Sequence, residues 1–83
     1  MTLNKFIKLK RIERGITQAR LAEMLGYNIA QSIYNIESGK MNLPNSKLKR
    51  LCRALLVDKS TVANILISEY KEKVVKSLNI KCN

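Results

Sequence analysis

The sequence predicts an all-α fold of five helices, the last drawn out well beyond the others. Three observations carry this. Apolar residues recur three and four apart in five successive stretches, the spacing that lines up one face of a helix. Glycines at 15, 26 and 39 close the first three stretches, and glycine takes the positive φ that ends a helix at least cost. The composition, 46% apolar with one proline and three glycines in 83 residues, is that of a folded chain rather than a disordered one. One domain over residues 1–83, with room for one modest core, follows from the length.

Helix 1 is expected over residues 3–14, with Leu3, Phe6, Ile7 and the stem of Lys10 on one face and Gly15 as its end. Ile16 then packs under the corner to helix 2. Thr17 is a good N-cap for that helix, because its hydroxyl can accept from a free amide of the first turn. Leu21, Ala22 and Leu25 form its apolar stripe. Ala22 is small enough for another helix to cross closely, and Met24 is a partly exposed filler. After Gly26, Asn28 is expected to cap a third helix running from about Ala30 to Ser38. Ile33 and Ile36 face inward; Ala30, Gln31, Tyr34 and Asn35 face outward, with Ser32 to one side. Helices of one or two turns are not stable alone. These two must be held by the rest of the chain.

Residues 39–44 form a loop, and the fixed φ of Pro44 suits the entry to helix 4, which Asn45 or Ser46 caps. Leu48, Leu51, Cys52 and Leu55 make its buried stripe, while Lys47, Lys49, Arg50 and Arg53 are expected on the outer face. Helix 5 starts at Asp58 or Ser60 and carries Val62, Ile65, Leu66, Tyr70, Val74 and Leu78 at helical spacing. The core should close over residues 3–66. An extension over 67–78, before a tail at 79–83, has little left to pack against. An exposed apolar stripe wants a partner, and Ile67, Tyr70, Val74 and Leu78 are the expected dimerisation residues.

Sixteen basic residues against six acidic ones leave a net charge of +10. Residues 1–57 hold eleven basic and three acidic side chains, a net of +8, which places the field on the first four helices. Such an excess points to a polyanion, bound through counterion release. Cys52 and Cys82 make no metal pattern without histidine or a paired-cysteine spacing. Cys52 reads as a buried small hydrophobe and Cys82 as an exposed thiol in the tail. No cofactor, metal or small-molecule ligand is expected, and no catalytic residue. There is no paired carboxylate, no phosphate-binding glycine loop and no nucleophile beside a base. No stretch approaches the roughly 20 apolar residues of a membrane span, so a cytoplasmic location is expected.

The order Thr17-Gln18-x-x-Leu21-Ala22, then Gly26, then Ile33-x-x-Ile36-Glu37-x-Gly39 resembles the Cro and phage-repressor (lambda-repressor-like, XRE-type) helix-turn-helix family. The resemblance spans roughly residues 5–66. It implies a five-helix DNA-binding domain in which helices 2 and 3 form the motif and helix 3 enters the major groove. It implies a structural pair between Arg11 and Glu37, and a Gln18 that contacts the DNA backbone while bracing helix 3. Base reading then falls to Ala30, Gln31, Tyr34 and Asn35. Phosphate contacts fall to Arg11, Gln18, Ser32, Lys40, Asn42 and Asn45. Three departures are visible. Tyr27 stands where the family has a small aliphatic residue, Leu56 where it often has glycine, and Gly26 and Glu37 are one residue further apart than usual. The extra residue is expected at Asn28 and Ile29.

With glutamine and asparagine but no lysine or arginine on helix 3, the readable steps are A·T, since those amides pair with adenine N6 and N7. The expected protein is a dimeric, self-regulating repressor on double-stranded DNA with a near-palindromic operator. Antitoxins and restriction-control proteins are of the same kind. RNA binding is the rival, weakened because Phe6, Tyr27, Tyr34 and Tyr70 are not gathered into a stacking platform.

Overall fold

In the computed structural model, which describes residues 1–79, the apolar stripes become helices α1 (Leu3–Glu13), α2 (Gln18–Leu25), α3 (Gln31–Glu37), α4 (Leu48–Leu55) and α5 (Lys59–Ser77). A single 3-10 turn, Asn45–Lys47, precedes α4, and no strand occurs among the described residues. Two threonines start helices as their hydroxyls dictate: Thr2 accepts from the Lys5 amide at 3.3 Å, and Thr17 from the Arg20 amide at 3.0 Å. Ile7, Leu21, Leu25, Ile33, Ile36, Leu51 and Leu55 are fully buried and come from four of the helices. Each is worth about 1.5–3 kcal/mol of apolar burial. α2 lies at the centre, packed against both α3 and α4. Leu43 seals the core from the loop after α3, and Val62, Ile65 and Leu66 close it from α5.

Three expectations change. Asn28 does not cap α3: the cap position is Ala30, already in helical geometry and without a side-chain hydrogen bond. Its carbonyl accepts from the amides of Ile33 and Tyr34, so Asn28 stands two residues too early. Neither Asn45 nor Ser46 caps α4, because the 3-10 turn after Pro44 intervenes and α4 begins without a side-chain cap. That turn brings Lys47 round to the interior. Its ammonium donates to the Leu25 carbonyl at 2.9 Å and lies 4.6 Å from the centre of the Tyr27 ring, so it is no outer-face residue. A cation at the carbonyl end of α2 satisfies an orphan acceptor and complements the helix dipole.

The second half of α5 is exposed, as expected of an extension with little to pack against: Tyr70 is 71% exposed and Leu78 63%, with Ile67 exposed beside them, while Val74 and Val75 are half-buried. The last inward tie is Glu69, which accepts from the Leu3 amide at 3.0 Å. Beyond it α5 projects, which draws the molecule out to 41 × 24 × 22 Å. At the α4–α5 corner Leu56 adopts the left-handed conformation, φ 53°, that glycine takes more easily. The expected exposed thiol, Cys82, and the tail beyond Asn79 lie outside the described residues; Cys52 is buried as expected.

Candidate nucleic-acid interface

α3 is two turns long, so its placement has to come from its neighbours. Ile33 and Ile36 anchor it in the core. At its C-terminal end Glu37 is buried, with 3% of its side chain exposed, against an Arg11 at 12%. Arg11 grips it with two hydrogen bonds, Nε to Oε2 at 2.6 Å and Nη2 to Oε1 at 3.2 Å, and Gln18 Nε2 donates to the same Oε1 at 3.1 Å. Arg11 Nη1 donates to the Ile16 carbonyl at 2.8 Å. A carboxylate taken out of water in this way needs such a set of donors. The expected pair is therefore present, and Gln18 braces α3 through Glu37. All three guanidinium nitrogens of Arg11 are engaged inside the protein, which leaves only spare Nη hydrogens for a phosphate.

A second tie comes from Asn4. Its side-chain amide donates to the carbonyls of Ile36 and Met41 and so holds the end of α3 to the following loop. Sequence reasoning missed this residue. The one signal was a polar side chain wedged between the core positions Leu3 and Ile7. Lys47 was missed for a different reason, since its acceptor lies 22 positions earlier in the chain.

On the outward side of α3, Gln31 and Tyr34 are exposed, and Asn35, Ser32 and Ala30 are half-buried. Gln31 Nε2 donates to Asn35 Oδ1 at 3.1 Å. The pair leaves the Gln31 carbonyl as an outward acceptor and the Asn35 amide as an outward donor. Lys40 sits 5.4 Å from the Tyr34 ring centre, which holds a cation beside the helix. Asn42 and Asn45 are exposed in and after the loop. Most of the other cations are elsewhere: Lys5, Lys8 and Arg14 on the outside of α1 and Lys49, Arg50 and Arg53 on the outside of α4. The positive field flanks the motif instead of coating α3.

Behind this face, Tyr27 packs on the core edge with its hydroxyl buried and without a partner. That burial holds its pKa above the ordinary value of 10.0.

A family model described as helix-turn-helix matches residues 7–62, from the middle of α1 to the first turn of α5. The chain belongs to the Cro/XRE-type helix-turn-helix family. No individual curated protein matches it. This helix-turn-helix protein is a DNA-binding transcription regulator, and DNA is its partner. α2, the turn opened by Gly26, and α3 are its motif. Among the described residues no helix is long and apolar enough to cross a membrane.

Proposed function

We propose that the protein is a homodimeric repressor that lays α3 of each copy in successive major grooves of a near-palindromic operator, about 34 Å apart. The observation that carries this reading is the outward face of α3, where paired amides, Gln31 and Asn35, stand beside an exposed Tyr34 on a helix whose other face is locked to the core. Gln31 and Asn35 read adenine, and Ala30 and Tyr34 touch thymine methyls. Ser32, Lys40, Asn42, Asn45, Gln18 and the spare hydrogens of Arg11 meet phosphates and set the register. The stripe of Ile67, Tyr70, Val74 and Leu78 along the projecting half of α5 supports a two-fold interface, because three of the four are more than 60% exposed. The protein acts in the cytoplasm and regulates its own gene, so that its concentration sets the response.

The test is fluorescence anisotropy, across a salt series, on the duplex upstream of its own gene, a scrambled duplex and the matching transcript. Tight, salt-sensitive binding to the upstream duplex alone, at two protomers per site, is expected. Preference for the transcript would replace this reading with translational control. Equal weak binding to all three would remove the autoregulatory part.

A further inference from the structure

From Ser38 to Val57 the chain carries five basic residues and no acidic one. Two of the five are accounted for: Lys40 lies beside Tyr34 on the reading face, and Lys47 is turned inward on α2. The other three, Lys49, Arg50 and Arg53, are exposed on the side of α4 opposite the buried Leu51 and Leu55. Lys59, at the start of α5, joins them. One shallow depression is lined by Lys49, Cys52 and Lys59, the next by Arg53, Asp58 and Lys59, and a third by Met24, Arg50 and Arg53. The four cations thus form a continuous patch around one carboxylate, Asp58. Among the described residues none of the four is in an ion pair.

Like charges gathered this way repel one another unless a polyanion or salt covers them. Arg50 also packs back on the scaffold: its Nη1 lies 2.6 Å from where a β-carbon on Gly26 would stand, against the end of α2. α2 packs against both α3 and α4, and the exposed side chains of each point away from the common core. The cations of α4 thus lie on a different helix from the outward residues of α3. If a straight duplex seated along α3 leaves the outer turn of α4 open, that turn is free for a second one. No aromatic residue lines the three depressions, so no ring there offers a platform for unpaired bases. Spaced cations without a stacking ring fit the phosphates of a duplex.

We propose that the outer face of α4, with Lys49, Arg50, Arg53 and Lys59, is a second phosphate-binding surface that holds another duplex segment while α3 occupies the first. The protein would then bridge or wrap DNA as well as read it.

The test mixes two short random-sequence duplexes, one carrying a donor fluorophore and one an acceptor, with full-length protein. Wild type is expected to bring them together and give energy transfer. Lys49→Glu/Arg53→Glu changes only exposed side chains, so its far-ultraviolet circular dichroism should be unaltered. It should need about tenfold more protein for the same transfer, because each lost phosphate contact removes about one unit of salt slope. Its binding to a single labelled duplex should fall much less. Absence of transfer with wild type would overturn the proposal. Undiminished transfer with the variant would assign bridging to the two α3 faces of a dimer, leaving the dimer reading intact and the α4 surface refuted. Parallel loss of single-duplex binding would put α4 on the same duplex as α3 and refute it too.

Discussion

Glu37 accepts hydrogen bonds from both Arg11 and Gln18 with almost none of its side chain exposed. Removing its charge strands a buried guanidinium, a loss that runs at about 3–5 kcal/mol for buried pairs. Glu37→Gln should therefore lower stability in urea denaturation by about 3 kcal/mol. The double change Arg11→Met/Glu37→Met should cost less than the sum of its single changes, since neither charge is then left alone. Tyr27 makes the opposite case. Its hydroxyl is buried without a partner, so Tyr27→Phe should leave stability unchanged or raise it by about 1 kcal/mol. The raised pKa gives this a pH signature. Folding favours the protonated phenol, so that contribution is intact below the unfolded value of 10.0 and fades as pH rises through the higher folded value. Urea midpoints measured from neutral to alkaline pH should fall more steeply for wild type than for Tyr27→Phe. Among the described residues the Gln31 side chain hydrogen-bonds to Asn35 alone. Gln31→Ala should weaken operator binding by about 1–3 kcal/mol and leave binding to random duplex unchanged; equal losses on both would remove it from base reading.

At the scale of elements, Leu56 marks the α4–α5 corner with a positive φ and a 69% exposed side chain. A left-handed leucine costs about 1–2 kcal/mol, and its exposed side chain recovers little of that by burial. Leu56→Gly should raise the thermal midpoint, which differential scanning calorimetry would register; a lower midpoint would mean that the leucine contributes packing worth more than the strain. The corner also shows what could be read in advance. Apolar spacing and closing glycines located all five helices to within a residue or two, because those signals are local. Leu56 was visible as an unusual residue at a turn, though its conformation was not. The absent caps of α3 and α4 were not legible, since the chain enters both helices already turning, and an Asn or Ser nearby is then superfluous. The α5 stripe was legible, since the extension past Leu66 was expected to have little to pack against and Tyr70 and Leu78 are exposed. Length carried that reading: four short helices bury the stripe only as far as Leu66, and Glu69 makes the last hydrogen bond back to α1.

The whole molecule is a core built by four helices with a fifth that overshoots it. Tyr70 stands on the overshoot, 71% exposed. Tyr70→Glu should leave the helical circular dichroism intact and shift sedimentation to monomers; a dimer that survives it would move the interface off α5. The family match, residues 7–62, ends before this overshoot begins, so the motif and the projecting arm are separable in sequence.

The packing of α3 has one consequence in time. Ile33, Ile36 and Glu37 belong at once to α3, which carries the exposed Gln31 and Tyr34, and to the interior. α3 therefore cannot melt while the core persists, and slow amide exchange at Ile33 and Ile36 should track global opening. Proteolysis of α3 would then have to wait for opening of the core itself, so the lifetime of the folded chain and the integrity of its exposed helix face are set by one event.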